Sequence, residues 1–213
     1  MRVLGISGSP RPGRTTDRLV QEVLGAVGRE TEFVSLAGKK IAPCTACLGC
    51  VRDNVCKIKD DMEPLRDKIL AADALVIGAP NYFSALNGLS HCFLERFCQF
   101  RHRDGNLLAG KYAVIVSTGG MEPEVPAAMI ERMLPYYQIR HLGSVAAQGA
   151  ASCFTCGHGE SCSAGAVRML YGEGVQITEE IIPDLSRQPD KIAAARSLGR
   201  KLGEMISSGL TRV

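Results

Sequence analysis

No stretch of this 213-residue sequence is apolar for long enough to span a membrane. The best candidate, Ala74 to Leu94, is interrupted by Pro80, Asn81, Ser84, Asn87 and His91, whereas a spanning helix needs about 20 apolar residues. The amino terminus lacks the basic, apolar and small-residue order of a secretory leader, so a cytoplasmic protein without structural disulfides is expected. An excess of charge is missing too: 25 Lys and Arg face 22 Asp and Glu, which offers no basic surface for nucleic acid or anionic lipid. Two nucleotide-binding patterns are absent. There is no Gly-x-Gly-x-x-Gly of a dinucleotide fold and no Gly-Lys-Ser/Thr of a P-loop. No repeat or linker divides the chain, and its length fits one domain over residues 1–213.

What is present is enough apolar material for a buried sheet, 46% of residues, arranged as short β-branched runs alternating with longer helical patterns. This predicts an α/β fold with a doubly wound, five-stranded parallel sheet. Strands are expected at Val3–Ser7, Glu32–Leu36, Ala74–Ala79, Tyr112–Ser117 and Leu142–Ala147. Helices are expected at Thr16–Val27, from Asp60 or Asp61 to Ala71, and at Leu86–Phe100, Glu124–Tyr137 and Pro189–Ser207. One insertion, about residues 43–59, follows the second strand. Another, about residues 149–185, follows the fifth, with one short strand expected at Val175–Ile177.

In an open parallel sheet, ligands bind beyond the carboxyl ends of the strands where strand order reverses. Three loops of unusual composition fall there. The first, Ser7 to Thr16, gathers the hydroxyls of Ser7, Ser9, Thr15 and Thr16 with Arg11 at a helix amino terminus, an arrangement suited to a phosphate dianion; a simple helix cap at Thr15 or Thr16 is the alternative. In the second, Pro80, Asn81, Tyr82, Phe83 and Ser84 put two adjacent aromatics past a strand end, able to pack on a planar ring or to serve as a lid. The third, Ser117, Thr118, Gly119 and Gly120, lets backbone approach a ligand closely, as would an ordinary glycine turn.

Nine cysteines is a heavy and odd load for a cytoplasmic chain, which makes metal or cluster ligation their leading use. Cys44, Cys47, Cys50 and Cys56 follow Cys-x2-Cys-x2-Cys-x5-Cys. Such a compact run suits one [4Fe-4S] cube, in which each iron takes one thiolate; zinc and free redox-labile thiols are the alternatives. Cys153, Cys156 and Cys162 repeat the last two of these spacings with His158 among them, either as a metal site or as plain loop thiols. Cys92 and Cys98, six apart on an expected helix, face different directions and read as packing residues.

Over nearly its whole length the chain resembles the NADPH-dependent FMN reductase superfamily, with its flavodoxin-like fold, and within it the iron–sulfur flavoproteins. The resemblance rests on Gly8-Ser9-Pro10-Arg11 followed by Thr16, on Pro80-Asn81-Tyr82-Phe83-Ser84 with Asn87-Gly88, on Glu95-Arg96, and on Asp60-Asp61-Met62 after the cysteines. Thr15 and His91 stand where the family often has Asn and Lys. The resemblance implies that the first loop holds the FMN phosphate, that the second and third line the isoalloxazine ring, and that the protein is a homodimer or homotetramer. With no second nucleotide-binding domain in sight, the expected function is an oxidoreductase that takes electrons from a ferredoxin-like donor or NAD(P)H, through a [4Fe-4S] cluster and FMN, to a small-molecule acceptor. A cluster-free NAD(P)H-dependent FMN or quinone reductase is the enzyme alternative. An electron carrier or a metal-stabilised binding module is the non-catalytic one.

Overall fold

The structure is a computed structural model that describes residues 1–103 and 106–208. Its elements in chain order are β1 (Arg2–Ser7), α1 (Thr15–Gly25), β2 (Glu30–Ser35), α2 (Met62–Ala71), β3 (Ala74–Pro80), α3 (Gly88–Glu95), β4 (Tyr112–Gly119), α4 (Val125–Glu131), β5 (Arg140–Gln148), α5 (Ala166–Tyr171) and α6 (Pro189–Ser207). All five strands pair in parallel in the order β2-β1-β3-β4-β5, the flavodoxin-like order. The chain winds outward from β1 in both directions, so the switch point lies between β1 and β3.

Both faces of the sheet are covered, which is why β3 and β4 are buried along their whole length. Successive strand residues point to opposite faces. Leu4, Ile6, Leu75, Ile77 and Ile115 join one core with Ile69, Phe93, Phe97 and Ile130, while Val3, Val76, Val114 and Val116 join the other with Leu19, Val23, Leu202 and Ile206. Cys92 packs against the first core, as the sequence suggests.

Several boundaries differ from expectation for physical reasons. The third helix keeps α-geometry only to Glu95 and tightens to a 3-10 turn over Arg96–Phe100. The fourth stops at Glu131, four residues before Pro135, whose ring clashes with the carbonyl four back; a 3-10 turn, Leu134–Tyr137, follows. Val175–Ile177 is irregular rather than a strand: the Ile177 amide donates to the Glu160 carboxylate (2.6 Å) instead of to a ladder.

Helices α1 and α6 approach very closely. A Cβ added at Gly199 or Gly203 would lie 2.2 or 2.1 Å from the carbonyl oxygens of Val23 and Val27. Backbone cannot yield as a side-chain tip can, so Gly203→Ala is expected to destabilise by about 1–3 kcal/mol through overpacking. A denaturant titration checks this, and an unchanged midpoint would contradict the close approach.

Candidate functional site

The first loop, the start of α3 and the ends of β3 and β4 form one hydrogen-bonded assembly. The Gly8 amide donates to the Gly78 carbonyl (2.7 Å), and Asn87 Nδ2 donates to the Gly8 carbonyl (2.8 Å). The Thr16 and Thr118 hydroxyls are 2.7 Å apart, joining the first loop to the third. Asn81 ties the second loop to the segment after β4, donating from Nδ2 to the carbonyls of Met121 (2.8 Å) and Glu122 (2.9 Å). Its amide donates to the Thr118 carbonyl (2.6 Å), and Ser84 also bonds the Glu122 carboxylate. Gly119 cannot carry a side chain here, because a Cβ would lie 2.6 Å from the Met121 carbonyl.

Three observations bear on what this assembly can hold. Helix α1 begins without a side-chain cap: Arg14 is the N-cap and makes no such bond, so the capping role considered for Thr15 or Thr16 is not taken up. First-turn amides have no partner within a helix, and an anion suits them. Secondly, Ser7, Ser9, Thr16, Ser117 and Thr118 are all buried, yet Ser117 Oγ has no hydrogen-bond partner. A buried hydroxyl without a partner is costly unless something else supplies one. Thirdly, Phe83 is fully exposed at 101% and Tyr82 is 41% exposed, with Phe83 and Ser84 at positive φ of 54° and 55°. A strained turn that presents a bare ring to solvent is the opposite of a core position.

Some groups are already engaged within the protein. Ser9 Oγ accepts from the Arg11 amide (3.2 Å) and donates to the Arg11 carbonyl (3.1 Å). The Arg11 guanidinium reaches the Ala150 carbonyl (2.9 Å), drawing the second insertion toward this loop. A cleft of about 570 Å³ between Ala26–Arg29, just before the amino end of β2, and the end of α6 touches none of these groups.

The cysteine insertion leaves the carboxyl end of β2 and is held by the last residue of α3 and by the 3-10 turn and segment that follow it. The Cys44 amide donates to Glu95 Oε2 (3.0 Å), the Cys56 amide to Gln99 Oε1 (3.1 Å) and the His102 amide to Asn54 Oδ1 (2.9 Å). Arg96, only 1% exposed, donates to the carbonyls of Ala42 (3.0 Å) and Ile58 (3.3 Å) and pairs with Asp60 (2.6 Å). It thereby clasps both ends of the loop, and its cation also stands beside the Cys56 thiol. Burial alone would raise the Asp60 carboxyl, but Arg96 and the Ala42 and Met62 amides hold it below its ordinary value.

Among the described residues, no three His, Cys, Asp or Glu side chains already stand together in coordination geometry. The structure does bring thiols of the expected set near one another, and adds one. Cys98 lies against Cys50 and Cys44, and the His102 ring nitrogen is 3.1 Å from Cys50 Sγ and 3.5 Å from Cys98 Sγ. Burial pushes the Cys50 and Cys98 thiols up. Cys47 is instead exposed, and the Gly49 amide, aided by the Thr45 hydroxyl, lowers its pKa. Cys98 is thus not the plain packing residue the sequence suggested. Glu95, Cys98, Gln99 and His102 fall at i, i+3, i+4 and i+7, a spacing that suggests a shared face but does not say that the cysteine loop packs on it. Thiols on one loop, with a buried cation beside Cys56 and the Gly49 amide directed at Cys47, fit a thiolate-ligated centre of net negative charge.

Known proteins match this chain over most of its length. Residues 1–148 match the family described as NADPH-dependent FMN reductase. Over 131 residues the chain is 38% identical to an iron-sulfur flavoprotein of Methanocaldococcus jannaschii, covering 59% of this chain and 68% of the relative. Over 148 residues it is 30% identical to an iron-sulfur flavoprotein of Archaeoglobus fulgidus, covering 67% and 66%. Among solved structures, RosB with bound 8-demethyl-8-formylriboflavin-5'-phosphate shares the fold, with a TM-score of 0.66 over 100% of this chain and 82% of that one at 16% identity. No helix among the described residues is long and apolar enough to cross a membrane. With the matched residues covering the sheet and all three loops, the chain belongs to the NADPH-dependent FMN reductase family of flavin oxidoreductases.

Proposed function

We propose that the chain binds one FMN and one [4Fe-4S] cluster and moves electrons from a one-electron donor to a small acceptor. The observation that carries the flavin reading is the joining of the three loops at Thr118, bonded to Thr16 and to the Asn81 amide, with the partnerless, buried Ser117 hydroxyl next to it in the chain. Ser9, Arg11, Thr15 and Thr16, with Ser7 and the α1 amides, would hold the phosphate. Pro80 to Ser84 and Ser117 to Gly120 would flank the ring. Cys44, Cys47, Cys50 and Cys56 would ligate the cluster, with Arg96 offsetting part of its charge.

When bound, the flavin supplies both one- and two-electron chemistry and the cluster single-electron transfer, so the chain's work is positioning and tuning. Helix α3, its N-cap and the 3-10 turn that follows it contact both loops: Asn87 and Ser90 support the first loop, and Glu95 and Gln99 bond the cysteine insertion. One continuous stretch of chain, 87–99, would therefore set the spacing between the two centres. The names of the relatives support a cluster, and the family description supports NADPH as donor.

The donor separates this reading from the simpler one. Reduced ferredoxin is expected to reduce the wild-type flavin faster than NADPH or NADH in anaerobic stopped flow, and the Cys47→Ala variant is expected to lose that advantage. Rapid reduction of both proteins by NADPH, with ferredoxin ineffective, would favour a cluster-free NAD(P)H-dependent reductase.

A further inference from the structure

The second cysteine group lies outside the residues that match the family, and none of the chemistry above uses it. Cys153, Cys156 and Cys162 reproduce the 3- and 6-residue steps of Cys47, Cys50 and Cys56, so three of the nine cysteines fall within ten residues. The local backbone is already shaped around the sulfurs. The Ala166 amide donates to Cys153 Sγ (3.2 Å) and the His158 amide to Cys156 Sγ (3.4 Å). The turn that allows the second bond runs through Gly157 at φ +82°. A Cβ placed on Gly165 would sit 3.5 Å from Cys162 Sγ, so Cys153 and Cys162 both approach the Gly165–Ala166 peptide. This platform is anchored by the buried Phe154 and Val167, with Phe154 edge-on to Tyr171 at 6.0 Å.

We propose that Cys153, Cys156 and Cys162, with His158 as the fourth donor, form a zinc site that pins the second insertion beside the phosphate loop. The donors suit that ion. Three thiolates and one imidazole complete a closed tetrahedral zinc shell, whereas a [4Fe-4S] cube calls for four cysteines. Amides directed at sulfur offset thiolate charge, the supporting role that outer-shell hydrogen bonds play at metal centres. Binding displaces three thiol protons and involves no redox step. The four side chains do not yet stand in coordination geometry; the exposed Cys156 and His158 are free to turn onto the ion from the solvent side, opposite the partly buried Cys153 and Cys162. The site needs neither the flavin nor the cluster.

The test is cobalt(II) titration and elemental analysis of the full-length protein, purified anaerobically as wild type, Cys156→Ser and Cys47→Ala. Cys156 is exposed, so its replacement leaves the fold intact. About one equivalent of zinc, or of cobalt with the visible bands of a tetrahedral thiolate site, is expected in wild type and Cys47→Ala and is expected to be lost in Cys156→Ser. Trypsin is expected to cut the 149–185 segment at least several-fold faster in Cys156→Ser. Wild type without such bands or zinc, equal uptake by Cys156→Ser, or iron and sulfide bound at this second group would overturn the proposal.

Discussion

Arg96→Ala is expected to strip the iron from the protein and to lower its stability by about 3–5 kcal/mol while FMN stays bound. The size of the effect follows from what the guanidinium does alone. It is buried, it neutralises Asp60, and it joins the carbonyls on either side of the cysteine loop. Truncation leaves a nearly buried carboxylate without its cation and releases both ends of the loop. Arg96→Lys keeps the charge but loses the two-pronged geometry, so it is expected to recover stability in part and iron poorly. Because Asp60 is held below its ordinary value, the pair's contribution is present at neutral pH and is lost as pH falls below about 4, where the unfolded carboxyl protonates. Iron content and urea midpoints across pH measure both effects. An Arg96→Ala protein with full iron and wild-type stability would show that the clasp is incidental.

The second large effect concerns the flavin. Ser9→Ala with Thr16→Ala is expected to weaken FMN binding by roughly 100- to 10,000-fold, since two hydrogen bonds to a charged group are each worth about 1.5–3 kcal/mol. Ser117→Ala makes a sharper companion. It removes a buried hydroxyl that has no partner within the protein, so the FMN-free form is expected to be as stable as wild type or more so, while flavin affinity falls. A residue serving only the fold would behave in the opposite way. Unchanged affinity in both variants, read by fluorescence titration, would remove the phosphate and ring assignments together.

The parts that could be read from sequence were those set by local rules. Strands β1, β3 and β4 announce themselves because strands covered on both faces are continuous apolar runs, and the helix after Pro189 begins with a residue suited to a first turn. The end of α4 could have been placed from Pro135 alone. Val175 to Ile177 has strand composition but no neighbouring strand, and composition cannot supply a partner. At the site, the three loops were legible because their odd composition falls just past strand ends. Cys98 and His102 were not, since their meeting with Cys50 depends on a 3-10 turn packing against a loop about 50 residues away. The unequal exposure of Cys47 and Cys50 was equally beyond reach, because spacing says which thiols are close in sequence but not which face inward.

The most direct test of the central claim is the visible spectrum of anaerobically purified protein, with FMN, iron and sulfide assayed on the same sample and on Cys47→Ala. The wild type is expected to show flavin bands over a broad iron–sulfur shoulder, with one FMN and about four irons and four sulfides per chain. Cys47→Ala is expected to keep the flavin bands and lose the shoulder. Flavin bands alone in the wild type, or iron retained in full by Cys47→Ala, would contradict the account.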